Sequence, residues 1–259
     1  MKIFGYSERG AMNALFYGMA FNKDGEKNMR EFLALANIET PDNFSDFEIY
    51  NEFSLSEFGS PDLVIIAQNK NKNEKVAFFI EAKASCCKYY DINEQKTLHD
   101  DYVSKGKHDN GHASNLFFQL RLKNYFFELK DWFCKGMDRP RPIGSSGCDR
   151  IENTKGHERG IGFNPVVRNF VNKFKDCKEA HYIAIIPEQS KASISNPDSS
   201  YELKIHLVTW EELYGKFKNY KIFKETIDFN QGIDLKIKSE KRIQSQILNT
   251  PIIEKNLNQ

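Results

Sequence analysis

The sequence predicts an α/β (α+β) fold: a central mixed β-sheet flanked by helices on both faces. Two observations carry that expectation. PDLVIIAQ (Pro61 to Gln68) and KVAFFIEAK (Lys75 to Lys83) are short runs apolar on both faces, with Val64, Ile66 and Phe79 on one side and Leu63, Ile65, Phe78 and Ile80 on the other. Strands of that kind belong inside a sheet covered by further layers. Segments with helical periodicity lie before and after these runs and supply the layers.

From Ser7 to Asn22 the residues Ala11, Leu15 and Met19 recur every four positions, which predicts a helix with Ser7 as N-cap and Glu8 in its first turn. Asp24 is placed to cap a second helix to about Asn37, burying Met29, Phe32, Leu33 and Ala36. Pro41-Asp42-Asn43 breaks the chain, and Phe44 to Phe53 reads as a strand with ragged alternation. The two apolar runs follow, joined by NKNKNE, whose asparagines favour a turn and so a hairpin. Lys88 to Ala113 is polar and reads as irregular. Ser114 to Phe133 is the strongest helical pattern, capped by Ser114, with Leu116, Leu120 and Phe127 inward. Phe117-Phe118 and Phe126-Phe127 read as core rather than as base-stacking platforms.

Cys134 to about Asn164 is a Gly/Pro-rich loop, longer than an ordinary connection. Pro165 suits the first turn of a short helix to about Lys175. His181 to Pro187 and Tyr201 to Val208 read as buried strands, and Thr209 to Glu212 is a capping box opening a helix to about Phe217. The remainder is lysine-rich and weakly periodic. These elements divide the chain into a domain over residues 1–218, with an insertion at about 134–164, and a partly flexible C-terminal extension over 219–259.

At 259 residues with 13% aromatics and a net charge of +1, the chain suits one large packed domain without a global polyelectrolyte field. A nucleic-acid ligand would have to be gripped by a local patch. The five cysteines are scattered without a CxxC pair, which favours reduced thiols. MKIFGYSERG is too polar for a secretory leader, and no run of about 18 apolar residues exists, so the expectation is a cytoplasmic chain with no membrane partner.

A hairpin centred between Asn71 and Lys72 pairs residues whose numbers sum to 143: Gln68 with Lys75, Ile66 with Ala77, Val64 with Phe79, and Asp62 with Glu81. Opposed residues have Cβ atoms about 5 Å apart. Strand side chains alternate with period two, so Lys83 shares the face of Glu81 and Asp62. Adjacent carboxylates repel, and the cluster is costly unless a cation sits among them. That pattern points to a metal site.

Pro61-Asp62 followed by Glu81-Ala82-Lys83, with eighteen residues between the two acids, resembles the PD-(D/E)xK superfamily of restriction-endonuclease-like nucleases. The order helix, strand, hairpin, helix, strand is similar to that family's core and extends the resemblance over about residues 1 to 215. The resemblance implies a restriction-endonuclease-like core in which Asp62 and Glu81 bind one or two Mg²⁺ ions, or Mn²⁺ as a substitute, with the Ala82 carbonyl as a further oxygen ligand. Lys83 would orient the attacking water and offset phosphate charge, in an electrostatic role rather than as a free base. Glu8 is a fourth metal ligand or else a capping acid, with Glu31, Glu48 and Glu52 as competitors for the ligand role. Gln119 and Tyr125 are similar to the glutamine and tyrosine of RecB-like members, at a longer spacing than theirs. Gln119 is thereby a site residue or part of a solvated helix face.

Residues 134–175 carry nine Lys/Arg against four acids. Of these, Lys135, Arg139, Arg141, Arg150, Lys155 and Arg159 form a candidate phosphate-backbone grip, to which Lys105, Lys107, His108 and His112 would add. Cys134, Cys148, His157 and Cys177 match no familiar zinc spacing. The functional expectation is a Mg²⁺-dependent endodeoxyribonuclease of restriction or defence type, acting on DNA as a homodimer because cutting both strands needs two sites. Its alternatives are a nuclease-fold module that binds nucleic acid or protein without cutting, and a nuclease acting on RNA or repair intermediates.

Overall fold

A computed structural model describes residues 7–55, 58–83, 92–105, 115–134, 165–188 and 203–229. Among them are helices α1 (Ser7–Ala20) and α2 (Gly25–Leu35), strands β1 (Phe44–Asn51), β2 (Leu63–Asn69) and β3 (Glu74–Ala82), then α3 (Ile92–Lys105), α4 (Leu116–Cys134) and α5 (Pro165–Val171). Strands β4 (Cys177–Ile186) and β5 (Ile205–Thr209) and helices α6 (Trp210–Phe217) and α7 (Lys221–Phe229) follow. The sheet order is β1-β2-β3-β4-β5. Strands β1 to β3 pair antiparallel, and β3, β4 and β5 pair parallel, so the sheet is mixed.

Each face of the sheet buries its own core. Val64, Ile66, Ala77, Phe79, Tyr182 and Ala184 pack with Phe126 of α4, Phe170 of α5 and Phe174 just beyond it. On the opposite face Leu63, Ile65, Phe78, Ile80, Ile183 and Ile185 meet Leu15, Phe16, Phe32, Trp210 and Phe223 from α1, α2, α6 and α7. The hairpin adopts the register expected from its turn: Val64 faces Phe79, Ile66 faces Ala77 and Gln68 faces Lys75. A one-residue slip would turn Val64 and Phe79 into the other core, and the separate packing of the two faces forbids that. The ragged β1 contains a register shift between Ser45 and Glu48, with Asp46 at φ 52°.

Three expectations need correction. The polar stretch read as irregular contains α3, whose inward positions Ile92, Gln95 and His99 are buried. Gln95 takes the place of an apolar contact: its side-chain oxygen accepts the Leu116 amide at 2.8 Å and its carbonyl accepts Asn115 Nδ2 at 2.7 Å. The α4 cap is supplied by Asn115, whose Oδ1 accepts the Phe118 amide at 3.1 Å; Ser114 lies outside the described residues. Helix α7, a short element within the C-terminal extension, packs against α1 and buries Phe223 and Ile227, in line with expectation. Asp24 occupies the α2 cap position without a side-chain capping bond.

The Thr209 capping box forms as expected: Thr209 Oγ1 accepts the Glu212 amide at 3.1 Å and Glu212 returns a carboxylate to the Thr209 amide at 2.8 Å. Thr209→Ala should lower stability by about 1 kcal/mol, read from a denaturant midpoint. An unchanged midpoint would show that burial of Trp210 anchors α6 without the cap.

Candidate functional site

The candidate site lies where β2 begins and β3 ends. Asp62 directly precedes β2, and extending the observed register sets it opposite Glu81, as expected. Its Oδ2 accepts the Ala82 amide at 2.8 Å, which ties the start of one strand to the end of the next. The backbone of Lys83 is fixed from two sides: its amide donates to the Ile185 carbonyl at 2.8 Å, and its carbonyl accepts the Trp210 indole at 3.1 Å. Parity on β3 turns Glu81 to the face of Ala77 and Phe79, which is the face covered by α4.

There Glu81 meets a residue that sequence reasoning did not select. Lys123 of α4 sets its Nζ 2.9 Å from Glu81 Oε1, and both side chains are 1% exposed. A buried ammonium and carboxylate each lose several kcal/mol of hydration, so each is tolerable only beside the other. Gly59 (φ 81°) lies against this pair, and a Cβ there would fall 3.2 Å from Lys123 Nζ. The left-handed backbone favours glycine there, and a Cβ would ask the lysine tip to give by a few tenths of an ångström. Gln119 sits one helical turn before Lys123 on the same face of α4. Tyr125 lies round the helix from Gln119, and its hydroxyl accepts Arg121 Nε at 3.0 Å.

Arg9 of α1 stands beside Asp62. Its guanidinium, 59% exposed, lies 3.5 Å from Glu52 and 4.0 Å from Asp62 Oδ1. Among the competitors for a fourth ligand, Glu52 is therefore the one brought beside Asp62. Glu31 is paired with Lys216, and Glu48 with Tyr50, Lys75 and Lys173. Glu8 falls in the first turn of α1, and its side chain lies outside the described ones. The basic residues Lys135, Arg139, Arg141, Arg150, Lys155 and Arg159 lie outside the described residues, as do Lys107, His108, His112, Cys148 and His157. Of the imagined zinc set, Cys134 and Cys177 are free thiols, and burial pushes Cys177 up to about 12, away from the reactive thiolate.

Burial pushes the Glu81 carboxyl up from 4.5 to about 7; Asp62 adds to the rise, while Lys123 and Lys83 pull down without cancelling it. Between those values the folded chain holds a proton that the unfolded chain has lost. The contribution of this group to stability is therefore complete below about 4.5, falls as pH rises toward about 7, and is flat above. Tm measured against pH should carry that decline in the native sequence and lose it in a Glu81→Gln/Lys123→Met double variant. A double variant with the same decline would assign it to other groups.

The oxygen donors of Asp62, Glu81 and the Ala82 carbonyl suit a hard divalent cation. As arranged, one oxygen of Glu81 faces an ammonium and one of Asp62 accepts an amide. Among the described residues no cluster of three His, Cys, Asp or Glu side chains stands ready for a metal. As the side chains stand, Lys123 rather than a metal ion is the cation beside Glu81. No helix among the described residues is long and apolar enough to cross a membrane. Comparison with family models, curated proteins and solved structures finds no match to this chain.

Proposed function

We propose that this chain is a Mg²⁺-dependent endodeoxyribonuclease of the PD-(D/E)xK kind, with a restriction-endonuclease-like core, acting as a homodimer in a restriction or other defence role. The observation that carries the reading is the hydrogen bond from the Ala82 amide to Asp62 Oδ2, which ties Asp62 to the end of β3 between Glu81 and Lys83. Asp62, Glu81 and the Ala82 carbonyl would hold the metal, with Mn²⁺ as a substitute. When bound, the metal supplies an activated water and neutralises developing phosphate charge. Lys83 orients that water and offsets the phosphate. Arg9, exposed beside Asp62, would meet the phosphate backbone. Gln119, on the Lys123 face of α4, would contact the substrate backbone, and Glu8 remains a candidate fourth ligand.

The test is incubation of the purified chain with plasmid, phage and single-stranded DNA, and with RNA, in Mg²⁺, Mn²⁺ or EDTA. Cleavage with a divalent ion that EDTA abolishes supports the reading, and RNA cleavage would move the substrate class. The Lys123–Glu81 pair favours a second reading, a nuclease-fold module that binds without cutting, because an ammonium already balances the carboxylate. DNA binding with no cleavage in any metal would select that second reading.

A further inference from the structure

Building on the nuclease reading, we propose that Lys123 is the internal counter-ion of this site: its ammonium holds Glu81 in the metal-free chain and leaves that carboxylate when a divalent cation enters. Three observations carry this. The Nζ to Oε1 distance of 2.9 Å puts the ammonium in direct contact with a carboxylate oxygen that a metal would need. Both groups are 1% exposed, so the two cations cannot be accommodated around Glu81 by solvent screening. Among the described residues Glu81 is the acceptor beside Nζ, and no hydrogen bond to another group anchors the ammonium there.

An ammonium on a flexible four-carbon stem moves by rotamer change, with α4 left in place. Gly59 presents backbone without a side chain next to Nζ, and a Cβ added there would fall only 3.2 Å away. The released ammonium keeps its three donors for the anionic phosphate oxygens the site is proposed to receive. Lys123 is thus a positioning residue: it keeps the Glu81 carboxylate in place until the metal arrives, and its separation is deducted from metal affinity.

The deduction is measurable without DNA. Mn²⁺ binding to the full chain, counted from the free-ion electron paramagnetic resonance signal at about pH 8, is compared for the native sequence, Lys123→Met and Asp62→Asn. Lys123→Met should bind Mn²⁺ at least about tenfold more tightly than the native chain, and Asp62→Asn should lose binding in either background. Equal or weaker binding by Lys123→Met, with Asp62→Asn still abolishing it, overturns the counter-ion role and leaves the nuclease reading standing. Native binding that is absent, or indifferent to Asp62→Asn, overturns that reading and this inference with it. Lys123→Gln gives the same comparison should Lys123→Met fail to fold. In the native chain itself, Mg²⁺ should shift the ¹⁵N resonance of the Lys123 ammonium; a resonance that does not move overturns the proposal.

Discussion

Lys123→Met is expected to cost about 3–5 kcal/mol of folding stability, the largest effect of any single charge change among the described residues. The substitution keeps the aliphatic stem and removes the ammonium, so Glu81 is left 1% exposed without the cation 2.9 Å from its oxygen. Glu81→Gln should cost less, because burial already pushes that carboxyl toward its neutral form, which an amide resembles. The double variant Glu81→Gln/Lys123→Met removes both charges and should recover most of the loss, because a neutral pair of similar volume has no charge left to desolvate. Urea midpoints of the four proteins complete the cycle. Additive single losses, with no recovery in the double variant, would mean the two groups do not depend on each other, contrary to their contact.

The second large effect is on cleavage. Asp62→Asn should reduce metal-dependent DNA cutting on the order of a thousandfold or more, while leaving the fold in place. Asparagine retains an acceptor for the Ala82 amide, which Asp62 meets at 2.8 Å, so the strand ends stay tied and only the charge is lost. Lys83→Ala keeps the Ile185 and Trp210 hydrogen bonds of its backbone but removes a buried ammonium, so its cleavage rate is read beside a stability measurement. Glu81→Gln is a poorer probe of chemistry, because it also changes the buried contact with Lys123. Cleavage by Asp62→Asn at the native rate, in a preparation free of contaminating nuclease, would remove Asp62 from the chemistry.

Much of the fold was legible because hydrophobic alternation reports the face on which each strand residue lies. Val64 with Phe79 and Ile66 with Ala77 follow from the turn position once two apolar faces fix the register. The Thr209 box was legible for a different reason: its hydrogen bonds join residues three apart and need no tertiary partner. Helix α3 was hidden because its inward Gln95 is satisfied by hydrogen bonds to the start of α4, and a polar residue carries no apolar signal. The same blindness concealed Lys123, which reads as a surface lysine on an otherwise aromatic helix and is fully buried.

The sequence by itself determined the strand faces and the hairpin register, both consequences of local periodicity and a short turn. Only the tertiary structure decided which cation Glu81 meets, that Arg9 joins Asp62 to Glu52, and that Gln95 caps another helix. Periodicity states which way a side chain turns within its own element. What stands opposite depends on how α1, α3 and α4 pack, and that choice is made by cores distributed over the chain.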